Sequence, residues 1–318
     1  MSKKIARSPL SHTEYVPLFQ RSFFLPKYWL TWTGVFILWL LMFSTSAFRN
    51  KIAAVIVRLT VKKNSRQYRV VKTNLELCFA EKTETDIEEM AGRFFYYKAR
   101  IFLDYAFLWF AGEKKLQQIY QIYNDDELKV LNASGNNIIL LTCHMLALDH
   151  GAQALSFDYP VIGLVKAIKN PVTDWLVARG RTRFNTRLYE RSFGMKGIVS
   201  SIKKGDQFFY LPDEDLGNER SEFLPFFGVQ KATITALGRL AKICDAKVVP
   251  CVPVFNESNG KYEVRFLHSM VHYPTGDKVA DAVTMNQMLE EMILLAPEQY
   301  LWSFRYFKTR PDGEPPVY

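Results

Sequence analysis

The pattern of apolar and polar positions predicts that buried strands alternate with helices along most of this chain. Residues 138–142 and 161–165 are short apolar runs with polar or turn-forming neighbours, which is typical of strands buried on both faces of a sheet. In residues 85–111 apolar side chains recur every three or four positions, as on a helix with one buried face. This alternation predicts an α/β fold with a mixed, mostly parallel sheet flanked by helices.

Further elements follow from the same pattern and from signals at their ends. Asn170 is suited to cap a helix whose first turn contains Pro171. Pro212 ends a predicted strand at residues 207–211. The other predicted strands cover residues 247–254 and 262–267, and the other predicted helices cover residues 145–155, 231–245 and 280–295.

An apolar segment near the front of the chain predicts an N-terminal transmembrane helix. Residues 28–48 are 21 residues without a charge, and about 20 such residues cross the hydrocarbon core of a bilayer as a helix. Tyr28, Trp29 and Trp32 at its beginning suit the membrane interface. A cleaved signal peptide is the alternative, because residues 44–47 are small, but the apolar run and the charged region before it are both longer than a signal peptide allows.

The basic charge is concentrated at the front and indicates a membrane surface as partner. The 318-residue chain has a net charge of +9, yet residues 1–75 hold 13 Lys or Arg and one acid, whereas the remainder holds 28 Lys or Arg against 31 Asp or Glu. Residues 49–72 contain eight basic residues interleaved with apolar ones, a pattern that suits the anionic headgroups of membrane phospholipid. Nucleic acid is disfavoured, because no nucleic-acid-binding motif accompanies the charge.

These observations divide the chain into three parts. Residues 1–50 are predicted to be a membrane anchor, residues 51–80 a basic membrane-proximal segment, and residues 81–318 the catalytic domain. The longer basic run follows the apolar segment, which predicts a single pass with the catalytic domain in the cytoplasm. This domain is expected to fold without residues 1–48, because its core is predicted to begin after the span.

His144 is the strongest candidate for catalysis, because it follows the predicted strand at residues 138–142. Functional groups of open α/β sheets gather beyond the carboxyl ends of the strands. A histidine can take a proton from an attacking alcohol near neutral pH, and a carboxylate such as Asp149 can fix its tautomer. Asp149 lies five residues later, so the two side chains can meet only if His144 stands in the turn before the helix.

Two alternatives use neighbouring residues. His150 is a second possible base, but it is adjacent to Asp149 and farther from the strand end. Cys143 is a possible nucleophile, although adjacent thiol and imidazole side chains tend to point apart. The four cysteines have no CxxC spacing, so we expect reduced thiols in the core.

Several motifs together resemble the bacterial late acyltransferases of lipid A biosynthesis, most closely the lauroyltransferase branch, within the wider HX4D/E acyltransferases. The resemblance covers nearly the whole chain. One departure is Asp149, where this branch commonly carries Glu, but both residues are carboxylates. The motifs are residues 69–75, 78–79, 144–149, 169–171 with Trp175, 181–183, 213–215, 223–228, 296–302 and 307–311.

The resemblance implies a bacterial inner-membrane enzyme of lipopolysaccharide or lipooligosaccharide biosynthesis. It would transfer a fatty acyl chain, expected to be lauroyl, from acyl-carrier protein to the hydroxyl of an acyl chain on a lipid A precursor. The alcohol would attack the donor thioester directly, so neither a cofactor nor a covalent enzyme intermediate is expected. His144 and Asp149 would be its catalytic residues.

The resemblance also implies substrate-binding roles for residues elsewhere in the chain. Arg181 and Arg183 would hold acceptor phosphates or the developing oxyanion, although solvated helix-end charges are the ordinary alternative. Asp213 and Asp215 would hydrogen-bond the loops of the site. We favour this role over a metal site, because no further ligand set is visible. Residues 223–228 have the apolar mass of an acyl-pocket wall.

Other functions remain possible at this point. A lysophospholipid acyltransferase would use the same base and carboxylate but should lack the motifs at residues 296–311. A membrane esterase would activate water through His144, yet the chain has no GxSxG nucleophile motif. A basic membrane tether would explain residues 1–75 but not His144, Arg181 or Asp213.

Overall fold

A mixed, mostly parallel sheet of seven strands forms the centre of the protein, as predicted. The computed structural model describes residues 14–318. The strands stand in the order β1-β9-β8-β2-β5-β3-β4, and every neighbouring pair is parallel except β8 and β9. The strands are β1 (Tyr120–Tyr123), β2 (Asn137–Leu141), β3 (Val161–Val165), β4 (Thr186–Glu190), β5 (Gln207–Tyr210), β6 (Ser221–Phe226), β7 (Val229–Ile234), β8 (Ala246–Asn256) and β9 (Lys261–Phe266), of which β6 and β7 form a separate hairpin.

Helices cover both faces of the sheet because both faces are apolar. Along β2, Ile139 and Leu141 belong to one core cluster with α3, α11 and α12, whereas Ile138 and Leu140 belong to a second with α6, α7 and α8. The helices are α1 (Trp29–Leu41), α2 (Ser46–Thr60), α3 (Arg66–Cys78), α4 (Glu84–Leu103), α5 (Tyr105–Phe110), α6 (Glu113–Ile119), α7 (Asp126–Ala133), α8 (Leu148–Leu155), α9 (Pro171–Arg181), α10 (Lys196–Ile202), α11 (Ala236–Cys244) and α12 (Lys278–Leu294).

Several predicted elements are confirmed, and others are wrong in extent or type. β3 has its predicted bounds, and Asn170 caps α9 by accepting hydrogen bonds from the backbone of Val172 and Thr173. The predicted helix at residues 231–245 is wrong in its first part, which is β7. There the buried Lys231 and Thr233 lie on a strand paired with β6, and the two-residue turn has positive φ at Phe227 and Gly228.

The N-terminal transmembrane helix predicted at residues 28–48 is not a single helix. α1 has 13 residues, a length of about 20 Å against a hydrocarbon core of about 30 Å. The chain then turns, because the Thr45 side chain caps α2 and Arg49 donates to the carbonyl of Ser44 at 2.5 Å. Across residues 14–318, the structure contains no helix with the length and apolarity needed to span a membrane.

The first two helices are packed into the body of the protein. Val35 and Leu38 of α1 are buried in a third core cluster that includes Trp109 of α5 and Leu176 of α9. Arg49 of α2 is also buried, because its guanidinium is 2.6 Å from Asp104 at the end of α4. The two core clusters on the faces of the sheet consist of buried residues after position 48, whereas the third cluster combines α1 and α2 with α5 and α9. Folding of the catalytic domain without residues 1–48 stays a prediction.

Candidate active site

The register of two central strands brings His144 and Asp213 together. β2 and β5 are parallel neighbours, and Leu141 at the end of β2 is the partner of Tyr210 at the end of β5. Since each of the two residues stands three positions beyond its strand, both leave the same edge of the sheet. This is the carboxyl edge, where the sequence analysis placed His144.

Asp213 forms hydrogen bonds with both the imidazole ring and the backbone N–H of His144. The imidazole Nδ1 of His144 is 2.7 Å from Oδ1 of Asp213, and the backbone N–H of His144 donates to Oδ2 at 2.9 Å. The hydroxyl of Tyr300 also donates to Oδ2, at 2.9 Å. With Nδ1–H donated to Asp213, the lone pair of Nε2 is left for a substrate.

The electrostatics of this pair favour a basic imidazole. Burial by itself lowers the pKa of His144, but the charge and hydrogen bond of Asp213 outweigh it and raise the pKa above its ordinary value. For Asp213 the burial raises the pKa and His144 lowers it, with a net lowering. The carboxylate is therefore ionised near neutral pH and can stabilise an imidazolium.

Asp149 has other partners, so the expected pairing of His144 with Asp149 is wrong. Arg181 donates to its carboxylate from Nε at 2.9 Å and from Nη2 at 3.1 Å, and Tyr105 donates from its hydroxyl at 3.1 Å. The reason is geometric: α8 begins only at Leu148, and Nδ1 of His144 is already taken by Asp213. Burial raises the pKa of Asp149, but Arg181 outweighs it and the pKa is lowered.

Arg183 is placed at the end of a helix rather than over an open site. Its guanidinium donates to the backbone carbonyls of Phe107, Leu108 and Ala111 at 3.3, 2.9 and 2.6 Å, where α5 ends. The last carbonyls of a helix have few partners within it, and an arginine fork can satisfy them; here the Phe107 carbonyl also accepts from the backbone N–H of Ala111 at 3.1 Å. A direct contact of Arg183 with an acceptor phosphate would require these bonds to be exchanged.

The acidic triplet at residues 213–215 binds three different partners. Asp213 binds His144, and Glu214 accepts a hydrogen bond from Arg191 at 2.9 Å. Asp215 accepts from the backbone and hydroxyl of Thr309, at 2.7 and 2.8 Å, and so fixes the carboxyl-terminal segment. Hydrogen bonding of the site loops by Asp213 and Asp215 is therefore observed, as the sequence analysis expected.

The two alternative reactive residues, Cys143 and His150, are fully buried. Cys143 has no exposed surface, and burial raises the pKa of its thiol well above the ordinary value, whereas the thiolate is the nucleophile. Burial lowers the pKa of His150 to about 4, and its ring stacks on Tyr262 with the centroids 3.7 Å apart. All four cysteines are free and buried, as expected.

The carboxyl-terminal segment contacts His144 and its neighbours. The sequence analysis did not predict which residues make these contacts. The backbone of Leu301 donates to the carbonyl of His144, and Leu146 donates to the carbonyl of Gln299, both at 2.8 Å. The ring of Phe304 lies 5.2 Å from that of His144. Tyr300, Glu214 and Arg191 were not singled out individually. The only signal for Tyr300 and Glu214 was their place inside quoted motifs.

Comparisons with known proteins place this chain in a family. Residues 16–309 match the family model described as bacterial lipid A biosynthesis acyltransferase. The chain is similar to the lipid A biosynthesis lauroyltransferase of Escherichia coli (strain K12), with 32% identity over 95% of this chain and 99% of that protein. It is 33% identical to a lipid A biosynthesis acyltransferase of Haemophilus influenzae over 94% of both chains.

A third relative carries a different acyl name. The lipid A biosynthesis myristoyltransferase of Escherichia coli (strain K12) is 31% identical over 96% of this chain and 94% of that protein. Relatives named for different acyl chains are thus almost equally similar. The family model and the extent of these matches show that this chain belongs to the bacterial lipid A biosynthesis acyltransferases.

Proposed function

We propose that this enzyme transfers a lauroyl chain from acyl-carrier protein to the hydroxyl of an acyl chain on a lipid A precursor, with His144 as general base. The observation that carries the proposal is the His144–Asp213 pair at the carboxyl edge of the sheet. Asp213 fixes the ring from the Nδ1 side, and the side chain of His144 is 19% exposed. The acceptor hydroxyl reaches Nε2, which is the nitrogen that Asp213 does not bind.

The chemistry needs only groups that these residues and the two substrates supply. Nε2 of His144 takes the hydroxyl proton while the oxygen attacks the thioester carbon. Asp213 stabilises the imidazolium that forms, and the proton then passes to the departing thiolate. One O–H and one C–S bond break, one C–O and one S–H bond form, and no cofactor takes part.

Asp149 and Arg181 form a second ion pair, to which we assign a role in substrate binding. Arg181 donates hydrogen bonds to Asp149 from Nε and Nη2. Among the described residues, none accepts a hydrogen bond from its Nη1. Its side chain is 31% exposed. Arg181 therefore keeps a donor for an acceptor phosphate or for the developing oxyanion. Arg183 and Asp215 act on the acceptor indirectly, by holding α5 and the carboxyl-terminal segment.

The amino-terminal helices bind a membrane surface and lie in the plane of the membrane–water interface. Their exposed apolar side chains form what we call the amino-terminal apolar surface, and the exposed basic residues Arg21, Lys27, Lys51 and Arg58 accompany it. Large exposed apolar surfaces on single chains mark interaction sites, and this combination suits an anionic bilayer. The surface consists of Leu18, Phe19, Phe24, Leu25, Trp29, Leu30, Phe36, Ile37, Trp39, Leu40, Phe43, Phe48, Val55 and Leu59.

The function is tested by mass analysis of lipid products made from acyl-carrier proteins that bear 12-, 14- or 16-carbon chains. Transfer of the 12-carbon chain to the lipid A precursor is expected to be fastest, and His144→Ala should lower kcat by about 10²- to 10⁴-fold. His268→Ala, at a fully exposed histidine, is the control. Preference for a lysophospholipid acceptor, or near-normal turnover of His144→Ala, would contradict the proposal.

Membrane docking is tested by sedimentation with vesicles. The double variant Leu30→Glu/Phe36→Glu should bind anionic vesicles more weakly, because charge replaces apolar contacts and repels the headgroups. Val130→Glu, at another exposed apolar position, on α7, should bind as the wild type does. Unchanged binding of the double variant would show that another surface docks.

A further inference from the structure

A second carboxylate faces His144 from the side opposite Asp213. Oε1 of Glu214 lies 3.7 Å from Nε2 of His144. The other oxygen, Oε2, accepts a hydrogen bond from Nη1 of Arg191 at 2.9 Å. Glu214 comes from the loop after β5, and Arg191 opens the 3-10 helix Arg191–Phe193 directly after β4. Two strands of the sheet thus place an ion pair beside the nitrogen that meets substrate.

We propose that Glu214 and Arg191 are opposed positioning residues that set how firmly His144 holds a proton during acyl transfer. The inference rests on the proposed role of His144 as general base. At 3.7 Å Glu214 is too far for a hydrogen bond to Nε2, so it acts through its charge. Arg191 neutralises part of that charge because it holds the far oxygen.

The placement gives each carboxylate a separate task. Asp213 is fully buried and fixes the tautomer and direction of the ring from Nδ1. Glu214 is 27% exposed and lies where the imidazolium N–H appears once the hydroxyl proton has moved. It therefore stabilises the charged intermediate from the substrate side. The proton leaves Nε2 again when the thiolate departs, and it does not pass through Glu214.

The other groups around the ring do not mask this effect. Burial lowers the pKa of His144, while Asp213 and then Glu214 raise it and Arg191 opposes them. Burial raises the pKa of both the Tyr300 hydroxyl and the Cys143 thiol, so both neighbours stay neutral. Phe304 covers one side of the ring and carries no charge.

The test is the pH profile of kcat/KM for Glu214→Gln and Arg191→Gln. Loss of the negative charge lowers the pKa of His144, so the acid limb of Glu214→Gln should move to lower pH by about one unit. Loss of the positive charge should move the acid limb of Arg191→Gln the other way. A merely structural pair would not shift the limb in opposite directions.

A matched control exists in the same chain. Arg93 and Glu257 form an ion pair at 3.5 Å with side-chain exposures of 41% and 34%, close to the 44% and 27% of Arg191 and Glu214. Arg93→Gln should leave the profile unchanged. Limbs that stay in place for both test variants, or that move in the same direction, would overturn the proposal.

A readout without turnover separates this inference from the proposed function. NMR titration of ring-labelled histidines, with the His144 signal assigned by its loss in His144→Asn, reports the proton on His144 directly. Opposite shifts in the two variants support the inference even if transfer is undetectable. Active His144→Ala would instead contradict the proposed function, and unshifted His144 signals would contradict only the inference.

Discussion

At the scale of single residues, the two candidate carboxylates Asp213 and Asp149 have different partners. Asp213 binds the imidazole, and Asp149 binds Arg181 and Tyr105. Asp213→Asn should therefore lower kcat by about 10²- to 10⁴-fold and leave the fold intact. Asp149→Asn should instead leave the partly buried Arg181 without its partner.

The effect of losing the Asp149–Arg181 ion pair is measured as a change in the free energy of unfolding. Asp149→Asn is expected to lower the free energy of unfolding by about 2 kcal/mol, a reduced figure because nearly a third of Arg181 is exposed to solvent. Arg181→Met combined with Asp149→Asn should recover part of the loss, because no unpaired charge remains. Denaturant unfolding of both single variants and the double variant measures the coupling. Additive losses would show that the pair contributes nothing.

His150 makes a pH-dependent contribution to stability. Burial lowers its pKa to about 4, against 6.5 for an exposed ring, so the folded protein binds this proton less tightly than the unfolded chain. The neutral ring favours folding fully above pH 6.5, and about 3 kcal/mol is lost as the pH falls toward 4. His150→Asn should lose less stability between pH 7 and pH 4.5 than the wild type. His268→Asn is the control, and parallel curves for all three would contradict the prediction.

At the scale of elements, α8 can lie against β8 because Gly151 has no side chain. An ideal Cβ at Gly151 would stand 2.4 Å from Cβ of Pro253. Gly151→Ala should therefore lower the free energy of unfolding by about 1–3 kcal/mol. Gly92→Ala in α4 meets no atom within 4 Å and should be stabilising by about 0.5–1 kcal/mol. Equal thermal midpoints for the two variants would show that α8 is free to move away.

The surroundings of each strand and helix explain why the sequence predicted some elements and missed others. The strands β2, β3, β5 and β8 lie in the middle of the sheet and are mostly buried, so each contains a continuous apolar run. β7 was predicted as the first part of a helix at residues 231–245, whereas α11 begins only at Ala236. Its strand conformation depends on pairing with β6 and on positive φ at Phe227 and Gly228, which a window of sequence does not contain.

At the scale of the whole molecule, the amino-terminal helices are part of the core. Phe23, Val35 and Leu38 are buried with side chains of α5 and α9. Deletion of residues 1–48 would expose those partners, so we expect a less stable or insoluble product with a lower thermal midpoint than the full chain. A truncated chain with an unchanged midpoint would contradict this and would support the expectation that the catalytic domain folds without residues 1–48.

The sequence by itself determined the local features of this protein. Continuous apolar runs set the central strands, Asn170 and Pro171 set the start of α9, and the strand end set the place of His144, because these signals act between near neighbours. The motifs that resemble the late acyltransferases of lipid A biosynthesis were also visible.

Only the tertiary structure decided the partners. Asp149 and Asp213 are both carboxylates beyond a strand, and the order of strands, with β5 beside β2, selects Asp213 for His144. Likewise, an uncharged run of 21 residues fits one long helix. In the fold, however, Arg49 forms a buried ion pair with Asp104, and the chain turns before α2 so that this pair can form. In both cases the deciding contact joins residues far apart in the chain, and its energy exists only when the fold brings them together.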